Sequence, residues 1–219
     1  MKSKPPDRMR VALRPSPAVD YPDLRATAVV GGGARKHAHP ASSRRMRWTQ
    51  DHPSRRSYEL IRGRESVARL RWTGFHGAMA EGEFFLARWT LQCVGSLSPL
   101  VRVRVAGAQR DAAIFRPKTG GEGLLLCAGC GLYAWRACDI RASEWAFFGS
   151  DGSRVVSFRF ESPRHWNHVM KVEGVMEVAP WAESLPAHPL LVLTGWYLVV
   201  LQHHDASLLA AATSEASAG

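Results

Sequence analysis

The chain has 219 residues, 46% hydrophobic and 22% charged, ordinary values for one large globular domain or two small ones. Its formal charge of +10 is uneven: residues 1–56 hold 13 Lys/Arg against 4 Asp/Glu, and residues 57–219 hold 16 against 15. A body so near neutrality excludes a phosphate-binding surface spread over the whole protein, and the four cysteines (Cys93, Cys127, Cys130, Cys138) are too few and irregular for a disulfide scaffold.

Residues 1–45 are rich in Pro, Arg, Ala, Gly and Ser, with Gly31-Gly32-Gly33 at their centre and no sustained apolar period. Such a segment cannot bury enough surface to offset the entropy of ordering it, and it is read as a disordered basic tail. The opening MKSKPPDRMR carries charge but no apolar core of a secretory signal, so cytoplasm is the expected compartment. Patterning begins near Met46-Arg47-Trp48, where Met46 offers an alternative start. The expected divisions are a tail over 1–45, a folded domain over 46–205 and a flexible tail over 206–219.

From Tyr58 onward the period is 2. Ala68, Leu70 and Trp72 alternate with Arg69 and Arg71, and Phe85, Ala87, Trp89, Leu91 and Cys93 with Arg88, Thr90 and Gln92. Val101, Val103 and Val105 alternate with Arg102 and Arg104, and Val156, Phe158 and Phe160 with Ser157 and Arg159. This is the pattern of antiparallel strands with one buried and one wet face. Gly63-Arg64 is read as a turn between Tyr58–Arg62 and Glu65–Trp72, while Phe84–Cys93 is read as a single strand. Leu124–Leu126 and Leu132–Ala137 flank a Gly-rich turn, and Glu144–Phe148 and Arg154–Phe160 flank Asp151-Gly152, a tight-turn dipeptide. Ten to twelve strands are expected between residues 57 and 179.

Pro189–Leu201, PLLVLTGWYLVVL, is apolar on every side. As a helix it spans only ~20 Å at ~1.5 Å per residue, short of a bilayer's ~30 Å core. Gln202, His203, His204 and Asp205 follow at once and are expected to end it. A helix apolar all round must be buried all round, and among strands the place for it is the inside of a closed barrel. Gly195 would let it approach a strand closely, and Trp196 and Tyr197 would need hydrogen-bond partners there.

The hairpin EWAFFGSDGSRVVSFRF (Glu144–Phe160), the helix HPLLVLTGWYLVVLQ (His188–Gln202) and the opening YELIRGRESVARLRW (Tyr58–Trp72) together resemble the tubby C-terminal-like superfamily. It includes tubby proteins, LURP-one-related plant proteins and phospholipid scramblases. The resemblance rests on pattern and order over residues 47–204. It implies a closed barrel of about twelve strands around a central apolar helix. Tubby-like members bind phosphoinositide headgroups through surface basic residues, and scramblases move phospholipid. No lipid-binding motif carries over residue by residue.

The candidate chemistry is sparse. Cys127-x-x-Cys130 has half the spacing of a zinc site, but Cys93 and Cys138 supply no second pair, and its flanks are strands rather than the helix of a redox motif. His165-Trp166-Asn167-His168 follows Pro163 and is read as a surface loop; His203-His204 is read as a cap on the helix C-terminus. Glu81 and Glu83 lie too close along one strand for a glycosidase pair. The feature retained is an arginine stripe, Arg69, Arg71, Arg88, Arg102 and Arg104, on polar strand faces. It would favour phosphates or anionic headgroups; its plain alternative is a solvated exterior with interspersed acids.

The sequence therefore reads as an all-β domain with one helix, a closed antiparallel barrel of about twelve strands around a central C-terminal hydrophobic helix. Its expected role is a non-enzymatic binding module, with anionic phospholipid as first ligand and a protein partner next, peripheral to a membrane rather than spanning it. Neither catalytic residue, cofactor nor metal is assigned. The competing reading is an enzyme with a site at a barrel end, where Cys127, Cys130, His165 and His168 would have to meet. A third is nucleic-acid contact through the tail; no specific nucleic acid is expected.

Overall fold

The computed structural model describes residues 44–52, 54–73, 79–95, 99–161 and 171–216, with side chains as far as His203. All lie in one compact unit, His39–Gly219. The disordered tail expected over residues 1–45 falls short by two at its end, since Arg44 and Arg45 already lie in a strand. Residues 1–43, the loop carrying His165 and His168, and the last three residues fall outside the described residues.

Period-2 alternation becomes twelve strands: β1 (Arg44–Gln50), β2 (Ser57–Arg62), β3 (Glu65–Thr73), β4 (Met79–Phe84), β5 (Ala87–Val94), β6 (Leu100–Val105), β7 (Asp111–Pro117), β8 (Gly123–Cys127), β9 (Gly131–Ala137), β10 (Glu144–Phe148), β11 (Arg154–Glu161) and β12 (Glu173–Val178). Each pairs antiparallel with its neighbours in sequence, and β12 pairs with β1, so the sheet closes and leaves no unpaired edge. Gly63 and Gly152, at φ 65° and 78°, supply the left-handed residues of the β2–β3 and β10–β11 turns.

One expectation needs correction. Phe84–Cys93 is not a single strand: the chain reverses at Phe85-Leu86, and β4 and β5 pair from Phe84↔Ala87 to Met79↔Gln92. The alternation holds from Ala87 onward, but Phe85 belongs to a turn and is 59% exposed. Nothing in Phe-Phe-Leu-Ala carries the usual chemistry of a tight turn.

After β12, a 3-10 turn at Pro180–Ser184 leads to α1 (His188–Ala216). Its apolar stretch is inside the barrel: Leu191, Val192, Leu193, Trp196, Tyr197 and Val200 have no solvent exposure. Twelve strands leave an interior wide enough for a helix ~10–12 Å across. Contacts on all sides fix it. Trp196 stacks on Trp48 of β1 (5.3 Å between centroids, 2° between planes) and Tyr197 on Trp72 of β3 (5.1 Å, 6°). The Tyr197 hydroxyl accepts a hydrogen bond from the Cys93 amide of β5 at 3.1 Å. Trp196 lacks a hydrogen-bond partner for Nε1 among the described residues and is held by its ring contacts, stacked on Trp48 and edge-on to Tyr58.

Glycines set the closest approaches. A Cβ on Gly195 would run into the Phe158 ring of β11, and one on Gly82 of β4 would lie 2.9 Å from Leu193 Cδ1. Helical backbone runs on past Gln202, where the sequence suggested a stop, to Ala216. His203 accordingly does not cap the helix end; its ring packs on Phe160, 4.6 Å between centroids.

Candidate functional site: the arginine rows and the barrel rim

Because strand side chains alternate, the polar residues of β2–β7 form rows across the barrel exterior. One row reads Glu59, Arg69, Glu83, Arg88; the next reads Arg71, Glu81, Thr90, Arg104, Asp111. Cationic and anionic side chains sit opposite each other, and they pair: Arg69 with Glu59 at 2.8 Å, Arg71 with Glu81 at 3.0 Å, Arg88 with Glu83 at 3.9 Å. Each such exposed pair contributes about 0.2–1 kcal/mol. These outward charges and the apolar interior are the reverse of a barrel whose lipid-facing band is apolar. Among the described residues no helix is long and apolar enough to cross a membrane.

The five arginines of the stripe thus divide into two groups. Arg69, Arg71 and Arg88 line a surface trough of about 640 Å³ together with Asp51, Glu59, Glu81 and Glu83. Three guanidiniums facing four carboxylates give no net attraction for an anion.

Arg102 and Arg104 differ, because they share a single carboxylate. Arg102 donates from Nε and Nη2 to Asp111 Oδ2 at 3.0 and 2.8 Å, and Arg104 donates from Nε to Oδ1 at 2.7 Å. Burial by itself would raise the Asp111 carboxyl, but the hydrogen bonds and charges of the two arginines prevail and hold it below the usual range. The cluster keeps one net positive charge, and its guanidiniums are fixed rather than free. Thr90 and Gln92 of β5 stand opposite Arg104 and Arg102 in the register and add polar groups beside them.

The end of the barrel where α1 begins carries a second arrangement. Turns β2–β3, β4–β5 and β6–β7 all lie at this end, as does the last residue of β12. The β4–β5 turn presents Phe85 and Leu86, the latter 97% exposed. Phe85 sits at φ 51°, a left-handed conformation rare for a bulky residue. On either side stand Arg62 and Arg64 of the β2–β3 turn and Arg110 after β6. All three are exposed, and among the described residues none has an ion-pair partner. Sequence reading missed this group. It placed Phe85 on a buried strand face and took arginines from strands only.

The other candidates resolve as structure. Cys127 is buried, and that burial, with Cys130 adding to it, pushes its thiol up to about 12. A redox or nucleophilic cysteine needs the opposite shift. Tyr133 closes the same turn by donating to the Cys130 carbonyl at 3.1 Å. Glu81 and Glu83 are committed to their arginines. No group of three His, Cys, Asp or Glu placed to hold a metal occurs among the described residues. No family model, curated protein or solved structure matches the chain.

Proposed function

We propose that this chain is a tubby-like, non-enzymatic binding module, peripheral to the membrane, that takes the phosphate of anionic phospholipid headgroups at Arg102 and Arg104. The observation carrying this reading is the sharing of Asp111: two guanidiniums held in place by one carboxylate. Guanidinium forks match phosphate oxygens in geometry, and a fork already oriented by a carboxylate loses less entropy on binding. Among the described residues, Arg102 Nη1 and both terminal nitrogens of Arg104 have no hydrogen-bond acceptor. The trough beside them is neutralised, so it contributes rigidity rather than attraction.

The test is co-sedimentation of the full chain with vesicles of phosphatidylcholine alone and of phosphatidylcholine with phosphatidylserine, at low and high salt. Each cation near an anionic leaflet is worth about 1 kcal/mol, so Arg102→Gln with Arg104→Gln should weaken anionic binding roughly 30-fold. Removing a whole trough pair, Arg69→Gln with Glu59→Gln, keeps the net charge and should leave it nearly unchanged. Undiminished binding by the Arg102/Arg104 variant would remove the cluster from the headgroup site.

A further inference from the structure

The stripe arginines are all held by acids, whereas the unpaired Arg62, Arg64 and Arg110 surround the β4–β5 turn, whose exposed residues are apolar. We propose that the barrel docks end-on to an anionic bilayer, with Phe85 and Leu86 entering the interfacial region and Arg62, Arg64 and Arg110 facing the headgroups. This rests on the phospholipid reading above and specifies the occupant as a lipid surface rather than a dissolved phosphate.

Two independent observations meet at this rim. The first is conformational. A turn of this kind is ordinarily built from Gly, Asn or Asp; here it holds Phe85 in left-handed backbone with its ring in solvent, 59% exposed, beside the nearly bare Leu86. Leu86 lies almost wholly in water, and the Phe85 ring meets the core only at its edge, against Phe84. Strained backbone carrying exposed apolar groups marks a contact surface. The turn is also fixed: the Phe85 amide donates to the Val67 carbonyl at 3.1 Å, and the Phe85 ring packs edge-on against Phe84. Phe84 in turn lies against His188 at the start of α1. A rigid apolar tip loses little entropy on insertion.

The second observation is charge. The flanking turns lie two interstrand spacings away on either side, roughly 10 Å along the rim. Their arginines stand at the same end of the barrel as the apolar tip, where an anionic leaflet would present its phosphates to them. Glu65 stands opposite Arg62, so the β2–β3 turn keeps one net positive charge and Arg110 adds another on the far side. Apolar residues flanked by such cations are the signature of interfacial binding, where buried area and electrostatic attraction add. Trp181, 49% exposed in the 3-10 turn after β12, lies at the same end of the barrel, and tryptophan favours the membrane–water boundary. Arg104 precedes Val105 at the rim end of β6, so headgroups at the docked surface come within reach of the Arg102–Asp111–Arg104 cluster.

The experiment compares the full chain with Phe85→Asn/Leu86→Ser, using the vesicles above and inositol hexakisphosphate as a soluble probe in calorimetry. Asn tolerates left-handed backbone, and the relief of that strain offsets the lost Phe84–Phe85 contact, so the variant should keep a melting temperature close to wild type. It should also keep its affinity for the soluble probe and lose roughly tenfold or more in binding to anionic vesicles. Equal vesicle binding by variant and wild type would overturn end-on docking and leave the headgroup reading standing. A wild type that binds inositol hexakisphosphate but no vesicle would overturn both the docking and the phospholipid reading, leaving a dissolved phosphate as the ligand. A wild type that binds neither ends both. Should the turn variant misfold, Arg62→Gln/Arg64→Gln/Arg110→Gln touches no core contact and must show the same selective loss; full vesicle binding by it overturns the docking.

Discussion

Asp111 shows how much one carboxylate decides on this surface. It lies between Arg102 and Arg104, so it orients two cations and neutralises only one of them, whereas Glu59, Glu81 and Glu83 each quench a partner. Held below the usual carboxylate range, Asp111 stays ionised as the medium turns acidic, and the stability it lends is lost only as the pH falls through that depressed value. Histidines govern the milder range. Burial lowers His188, against an opposing pull from Glu183, and burial lowers His203. Their folded values lie below the unfolded ~6.5, so below that pH the unfolded chain takes up protons that the barrel resists. Stability should therefore be full above about pH 6.5 and decline as the pH falls towards 5. Phenylalanine preserves the ring contacts with Phe84 and Phe160 without titrating. Urea denaturation of His188→Phe/His203→Phe should thus show a flatter pH profile than wild type, and an identical slope would exclude these two rings as its source.

At the level of elements, α1 is held by shape more than by polar bonds. Gly195 faces Phe158, Gly82 faces Leu193, and Gly174 faces Trp196 at 2.8 Å from an added Cβ, so glycines sit where helix and strand backbones come closest. Two stacked aromatic pairs, Trp48–Trp196 and Trp72–Tyr197, each add about 0.5–1.5 kcal/mol beyond their burial. Overpacking at Gly195 should cost about 3 kcal/mol or more, and an unpaired charge at the 5% exposed Leu198 at least as much. Gly195→Leu and Leu198→Asp should each abolish the cooperative thermal transition; a wild-type melting temperature for either would refute the central placement of α1. The β4–β5 turn is the converse case. There an element carries residues unsuited to its backbone, and departures of this kind concentrate at functional surfaces.

For the molecule as a whole, closure depends on one seam between the first strand and the last. Arg44↔Val178 through Trp48↔Gly174 joins β1 to β12, and Arg47 braces it from outside through Glu161 and Glu173. Gln50 locks the seam from within. Its Oε1 accepts from the Val172 amide at 2.8 Å and its Nε2 donates to the Arg55 carbonyl at 2.8 Å. Gln50→Ala leaves a buried amide unpaired, which costs about 1–3 kcal/mol. The expected result is a lower denaturation midpoint with an unchanged slope, because the barrel still unfolds as one unit. An unchanged midpoint would mean that the seam closes on its strand ladder alone.

Period-2 alternation from Tyr58 to Val178 and one helix apolar on every side determined the architecture. Side-chain polarity is a local property, and burial of a helix on all faces leaves few arrangements among strands. Turns built from Gly and Asp were legible for the same reason, since the residue carries the backbone conformation with it. What the sequence could not decide was which charges remain available. Arg69 and Arg104 look alike along the chain; only the register across β2–β7 puts Glu59 opposite one and a shared Asp111 opposite the other. Nor could it expose the Phe85-Leu86 turn, which reads as the continuation of a strand with Phe85 on its buried face. Pairing between neighbouring strands folds the chain back there and leaves two apolar side chains in water at the rim, beside arginines that no acid reaches among the described residues.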